Sequence, residues 1–258
     1  MDNTKIASMP GHWLLAKLGK RVLRPGGIEL TKRMLNGLNI TNQDHVVEFA
    51  PGMGITARMT LDRNPLTYTA IERDEQAARR VSGLLNGDSR KCVFADAAKT
   101  GLPDQSATVL YGEAMLTMQS PRLKKEIIRE AYRVLQQGGK YGVHELCLMP
   151  DRIEPELKKK ICRELSESIR VNAAPLTIEE WQQVFAEQGF TVVATFTAPM
   201  HLLKFKRMIE DEGWLRVLRI SFNLIRSRAA YKRVLGMMRV FNKYKGQLGA
   251  VSFILQKK

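Results

Sequence analysis

Glu48-Phe49-Ala50-Pro51-Gly52-Met53-Gly54 follows a short apolar run at 45–49 and opens onto a helix-like segment at 55–63. An acid at the end of a strand, then two glycines two positions apart, then a helix start, describes a turn suited to a cofactor. Glycine lets the backbone approach a ligand closely, and the first helical turn offers unpaired N–H groups. A second acid, Glu72, closes the run Thr67-Tyr68-Thr69-Ala70-Ile71. An acidic side chain about 20 residues past a glycine turn is placed to accept from the ribose hydroxyls of a nucleoside. Two glycines after a strand also fit an ordinary tight connection, so the order of the following elements decides.

Working along the chain, the spacing predicts a strand at 45–50, a helix at 55–63, a strand at 67–72 and a helix at 74–85 ended by Asn86-Gly87. Further strands are predicted at 91–95, closing on Asp96, and at 107–112, ending at Glu113. A helix at 121–137 stops at Gly138-Gly139 and a strand at 140–146 follows. Beyond a helix at 155–169, Thr177 and Glu180 form a capping-box pattern for a helix ending at Gly189. Strands at 190–197 and 249–256 complete the series. Strands alternating with helices of this length predict an α/β fold: a parallel, doubly wound sheet with a crevice at the strands' carboxyl ends. Glu48, Glu72, Asp96 and Glu113 fall at or just beyond four successive carboxyl ends. Carboxylates clustered on one edge repel each other unless a ligand uses them.

This order resembles the class I S-adenosylmethionine (SAM) methyltransferases over roughly residues 44–198, with the final strand at 249–256. Glu48 to Gly54 is similar to the family's acid–x–Gly–x–Gly–x–Gly turn. Ile71-Glu72 resembles the second motif, where the acid binds ribose. Asp96-Ala97, followed by Leu102-Pro103, resembles the third, where the Asp accepts from the adenine amine. Arg133-Val134-Leu135-Gln136-Gln137-Gly138-Gly139 resembles the helix end before the fifth strand. Thr177 with Trp181, then Glu187-Gln188-Gly189-Phe190, is similar to members related to quinone and sterol methyltransferases. The resemblance implies a Rossmann-like, seven-stranded doubly wound sheet with a helical insertion before the last strand. It also implies SAM as cofactor, held by Glu48, Ala50, Gly52, Gly54, Glu72, Asp96, Ala97 and Glu113. Two departures stand out. Ala50 occupies a usual glycine position, which is tolerable if its φ is negative, and the interval from Asp96 to Leu102-Pro103 is about two residues long for the motif. An NAD-type Rossmann turn would instead want Gly-x-Gly-x-x-Gly, and its sixth position here is Ala57.

The 258 residues suffice for one large α/β domain or a core with an appendage. A 44% hydrophobic and 26% charged composition is that of an ordinary soluble globular protein. No apolar run of about 18 residues suggests a membrane span, and Met1 to Lys5 lack a secretory pattern. Cys92, Cys147 and Cys162 are scattered and odd in number, which fits a reducing cytoplasm; no metal site is expected. The net charge of +15 is uneven. Residues 1–40 hold seven Lys/Arg against two acids, 41–200 twenty against twenty-one, and 201–258 fourteen against three. The expected organisation is an N-terminal helical cap at 1–40, a cofactor-binding core at 41–200 and 248–258, and a basic helical lid at 201–247.

Methyl transfer from a sulfonium requires alignment and, for some acceptors, a base. Glu113, His144 and Glu145 lie after strands four and five and are the candidate reactive residues, His144 because it titrates near neutrality. Adjacent strand residues point to opposite faces, so at most one of His144 and Glu145 serves a given side. Met115 and Met118 suit an apolar substrate or simply begin helix packing. Tyr111 shares the face of Glu113 or makes a core hydrogen bond, and His12 with Trp13 either closes over the cofactor or packs a helix. Ser166 and Ser168 have no base partner by pattern.

In the lid, two helices are expected, with Leu215, Leu218, Phe222 and Ile225 along one packed face and Val234, Met238 and Phe241 along another. Three readings compete for the interspersed cations: a solvated lid face, attraction to an anionic membrane surface, or RNA binding. Against RNA, the aromatics keep helical core spacing, and the Asn/Asp-Pro-Pro-aromatic motif is absent. The expectation is a cytoplasmic methyltransferase for a small, largely apolar acceptor. Its alternatives are an RNA methyltransferase and a membrane-surface quinone or lipid methyltransferase.

Overall fold

The computed structural model describes Ile6 and residues 8–258; residues 1–5 and 7, including the Met1 to Lys5 stretch read above, lie outside the described residues. Helices α1 (Gly11–Leu18) and α2 (Gly27–Leu38) precede an alternating run: β1 (His45–Phe49), α3 (Ile55–Leu61), β2 (Thr67–Glu72), α4 (Glu75–Ser82), β3 (Arg90–Phe94) and β4 (Ala107–Glu113). Then come α5 (Pro121–Val134), β5 (Leu135–Leu148), α6 (Pro155–Ile169), β6 (Leu176–Thr177), α7 (Ile178–Ala186) and β7 (Phe190–Pro199). Helices α8 (Phe205–Glu212), α9 (Trp214–Ile225) and α10 (Arg228–Lys243) form the insertion before β8 (Leu248–Lys257).

The strand order is β3-β2-β1-β4-β5-β8-β7, with β6 paired to β5. β1 to β5 run parallel, and β8 lies antiparallel between β5 and β7. Two-residue β6 raises the count to eight rather than the expected seven. β1 has β2 on one side and β4 on the other, so the chain's direction of winding reverses there. Helices leave to opposite faces and a crevice opens at the carboxyl end of β1.

The helix expected over 121–137 ends at Val134. Leu135 takes extended backbone, φ −72° and ψ 141°, and pairs with Ala107. The register then jumps to Val109 and Lys140, and the intervening turn uses Gly138 at φ +75°. Sheet pairing wins over the local helical pattern because Leu135 is fully buried. At Thr177 the capping box forms as expected, the hydroxyl accepting from Glu180 N and the Glu180 carboxylate from Thr177 N.

One sheet face packs Trp181 and Phe185 of α7, stacked at 5.7 Å, with Phe253 and Ile128. The other packs Met34, Leu35 and Leu38 of α2 against Tyr68, Tyr111 and Ile254. Each such fully buried side chain contributes roughly 1.5–3 kcal/mol through water exclusion. A third cluster joins Leu14 and Leu18 of α1 to Ile220 of α9 and to Val234 and Met237 of α10. The N-terminal segment and the insertion thus share one apolar interior.

The insertion holds three helices rather than two, because Gly213 at φ +78°, ψ 153° breaks the run. Its α8 is pinned to the N-terminal segment: Glu212 Oε1 accepts from Arg21 N and Val22 N, each at 2.7 Å, and Asp211 Oδ1 from Ile28 N at 2.9 Å. Gly27 makes this approach possible, since a Cβ there would lie 2.5 Å from Asp211 Oδ1. The packed face expected for Leu215, Leu218, Phe222 and Ile225 is not found. These residues are exposed, and α9 buries Val217 and Ile220 instead. Among the described residues, no helix is long and apolar enough to cross a membrane.

Candidate active site

A cavity of about 650 Å³ opens at the carboxyl ends of β1 to β5. Its rim carries the turn after β1 and the acids after β2 and β3, and its far wall comes from α1, α6 and α10. Of the residues expected to hold a cofactor, Glu48, Ala50, Gly52, Glu72, Asp96, Ala97 and Glu113 line this cavity. Gly54 does not. It sits at φ +72° where α3 begins, and a Cβ there would lie 2.5 Å from Leu84 Cδ1, so its role is helix packing. Ala50 adopts φ +51° rather than the negative value anticipated. Its N–H donates to the Ile71 carbonyl at 2.8 Å, which locks the turn onto β2 despite the left-handed backbone.

Glu72 is 5% exposed, with its carboxylate oriented by backbone donors: Gly52 N at 3.1 Å, Arg73 N at 2.9 Å and Asp74 N at 3.0 Å. These bonds tie the glycine turn to the end of β2. Asp96 is half-buried on the rim, accepting from Ala98 N at 2.8 Å and facing Arg73 Nη1 at 3.4 Å. The long interval before Leu102 leaves Asp96 at the cavity.

Beneath the rim lies a buried polar cluster. Glu48 accepts from the hydroxyls of Tyr68 and Tyr111, the latter at 2.7 Å. Burial pushes its carboxyl up to about 7, against the pull of those two hydrogen bonds. Glu113 accepts from Thr31 Oγ1 at 2.6 Å, Thr56 Oγ1 at 2.5 Å and His144 Nδ1 at 2.8 Å, and pairs with Arg24 Nη1 at 3.1 Å. Burial works to raise its carboxyl too, but the Arg24 charge and the bonds from His144 and Thr31 outweigh it and hold it at about 2. Glu48 has only two tyrosine hydroxyls for partners while Glu113 has the Arg24 guanidinium beside it, which sends their acidities in opposite directions.

The expected reactive trio has structural partners instead. His144 is fully buried and absent from the cavity lining. Its Nε2 donates to the Pro25 carbonyl at 2.6 Å while Nδ1 meets Glu113, so neither ring nitrogen is left to take a proton from an acceptor. Glu145 borders the cavity but accepts from Met115 N, Leu116 N, Thr117 N and Thr117 Oγ1 at 2.6–3.1 Å, organising the turn Leu116–Met118. Burial pushes its carboxyl upward. Adjacency on β5 sends the two side chains to opposite faces, as alternation requires. Glu113 is held by four groups at the cavity floor.

His12 and Trp13 line the cavity from α1, with Met115 and Met118 from the turn after β4. Sequence reasoning did not single out Arg24, which entered only in the count of Lys/Arg over residues 1–40. It is 8% exposed, lines the cavity, and keeps Nε and Nη2 buried without a hydrogen-bond partner. The signal was the Arg24-Pro25-Gly26-Gly27 run, whose tight turn brings the guanidinium beneath β4.

The family described as "Methyltransferase domain" matches residues 47–143. An uncharacterized protein of Haemophilus influenzae is 32% identical over 253 residues, covering 96% of this chain and 98% of that protein. The 27-O-demethylrifamycin SV methyltransferase of Amycolatopsis mediterranei is 26% identical over 164 residues, 62% of this chain and 58% of that enzyme. Among solved structures, the cyclopropane synthase MmaA2 from Mycobacterium tuberculosis shares the fold with a TM-score of 0.74 at 13% identity, over 100% of this chain and 99% of that one.

Proposed function

We infer, from the methyltransferase-domain match over residues 47–143 and the shared fold, that the chain is a class I S-adenosylmethionine-dependent methyltransferase and that it methylates a small, largely apolar acceptor held beneath the helical insertion. The observation that carries the acceptor class is the cavity's far wall, where Leu15, Leu165, Ile169, Met200, Met237 and Phe241 present hydrocarbon and thioether surface. A pocket with apolar walls and few convergent polar groups takes a hydrophobic molecule with one polar handle.

The residues suit the cofactor. Arg24 Nε and Nη2 are orphaned donors in the cavity wall, and a ligand carboxylate offers acceptors to both. When bound, S-adenosylmethionine supplies a methyl group already activated by its sulfonium charge. Glu72, fixed by its three backbone N–H bonds, would accept from the ribose hydroxyls. Asp96 and Ala97 would hold the adenine, and Gly52 would let the turn after β1 approach the ligand. Glu48 and Glu113 would lie toward the amino-acid end. Trp13, Met115 and Met118 exclude water and align the acceptor for an in-line displacement, a positional contribution. His144 and Glu145 act as positioning residues, one bracing Glu113 and the other the turn that bears the two methionines.

Calorimetric titration with S-adenosylhomocysteine tests the cofactor half, and transfer of labelled methyl to a panel of apolar and polar acceptors tests the rest. Glu72→Ala is expected to weaken binding at least tenfold, since each lost charge-assisted hydrogen bond is worth about 1.5–3 kcal/mol. Arg24→Met is expected to weaken it as well. Full affinity in both variants would overturn the site assignment, and transfer confined to highly polar acceptors would overturn the acceptor class.

A further inference from the structure

Helix α9 is apolar on two faces. Val217 and Ile220 turn inward, 2% and 4% exposed, with Leu224 packed against the same interior. Trp214, Leu215, Leu218, Phe222 and Ile225 form a second stripe, confined by their spacing to about 100° of the helix circumference. They are 58%, 79%, 49%, 60% and 77% exposed. Five large side chains contiguous in water mark a contact surface, not scattered surface hydrophobicity.

Charge identifies what the surface meets. No Asp or Glu follows Glu212 in the chain, while residues 213–258 hold eleven Lys/Arg. By their spacing Arg219 on α9 and Arg226 at its C-cap flank the stripe, Arg216 lies further round the helix, and Arg228 and Lys232 are exposed in the first two turns of α10. Among the described residues, none of these five cations is ion-paired with a carboxylate of the protein. Arg226 instead lies over the Phe222 ring, 5.4 Å from its centroid. A second copy of the same face would bring arginines against arginines. A nucleic acid would satisfy the cations but leave the stripe hydrated. An anionic bilayer satisfies both, since acyl chains receive the apolar side chains while lipid phosphates meet the guanidinium groups.

We propose that α9 lies flat on an anionic lipid surface, with Trp214, Leu215, Leu218, Phe222 and Ile225 entering the boundary between headgroups and acyl chains. Behind it, α10 brings Met237 and Phe241 to the cavity wall, so the docked face stands one helix away from the acceptor cavity. The inference rests on exposure and charge, and holds whichever molecule is methylated.

Flotation of the full chain with vesicles of phosphatidylcholine, with and without phosphatidylglycerol, tests it. The protein is expected to float with the anionic vesicles, less so as salt rises, and Trp214 emission is expected to shift to the blue in a way that Trp214→Phe abolishes. The triple variant Leu215→Ser, Phe222→Ser, Ile225→Ser is expected to lose at least tenfold in partition while titrating S-adenosylhomocysteine normally. Arg219→Ser is expected to lose about fivefold. Failure to float, or flotation that the triple variant leaves unchanged, would overturn the proposal. So would a dimer that the triple variant dissolves without any flotation of the parent, which would make a second copy the occupant, or retention of RNA without flotation.

Discussion

His144 Nδ1 lies 2.8 Å from Glu113 Oε1, with the opposite ring nitrogen 2.6 Å from the Pro25 carbonyl oxygen. The imidazole is a strut joining the ends of β4 and β5 to the N-terminal segment. His144→Ala leaves a buried carboxylate short of a partner and is expected to cost about 3 kcal/mol of unfolding free energy, measured by urea denaturation at neutral pH. His144→Asn, which restores one donor, is expected to recover part of that loss. A residue acting only as a proton acceptor would leave stability intact, so an unchanged denaturation midpoint for the Ala variant would restore His144 as a base.

Glu48 gives a pH dependence of the opposite sense to Glu113. Its carboxyl is raised from 4.5 to about 7 by burial, so the folded protein holds a proton there that the unfolded chain releases. Stability therefore falls as pH rises from about 4.5 to 7, by about 3 kcal/mol from this group alone, and is flat above that. Glu48→Gln removes the penalty. It is expected to raise the melting temperature at pH 8 and leave it unchanged near pH 4, and a uniform shift at both would contradict the assigned cause. Glu113, depressed to about 2, contributes stability that is complete above about 4.5 and lost as pH falls toward 2.

Ala50 and Ala114 adopt φ +51° and +52° at the ends of adjacent strands β1 and β4, and both border the cavity. A left-handed backbone costs an alanine about 1–2 kcal/mol, and two such residues beside one cavity mark a place where shape is kept against local preference. Ala50→Gly is expected to stabilise the protein by up to about 1 kcal/mol after allowing for the greater freedom of the unfolded glycine. Ala50→Val is expected to destabilise it. Thermal melts of the two variants, shifting in opposite directions, check the conformation directly.

The alternation from His45 to Pro199 was legible because it is written locally, in apolar period, acids at strand ends and glycine after helices. Most of the cavity rim followed from the same pattern. What was not legible depended on partners distant in sequence. The assembly of Arg24, Thr31, Thr56, Glu113 and His144 requires residues from α2, α3, β4, β5 and the turn between α1 and α2 to converge, and no window of sequence contains that relation. Leu135 read as helix until pairing with Ala107 took it. For α9, periodicity located a stripe but not what it faces. Spacing defines sides of a helix, and only tertiary packing on Val217 and Ile220 decides which side is dry.

Glu212 joins the backbone of Arg21 across 191 positions of sequence. The backbone at Arg21 is thus completed by a segment synthesised 191 positions after it, and β8, made later still, must slide between β5 and β7 to finish the sheet. Until then the cavity wall that α1 shares with α10 has only one of its two sides.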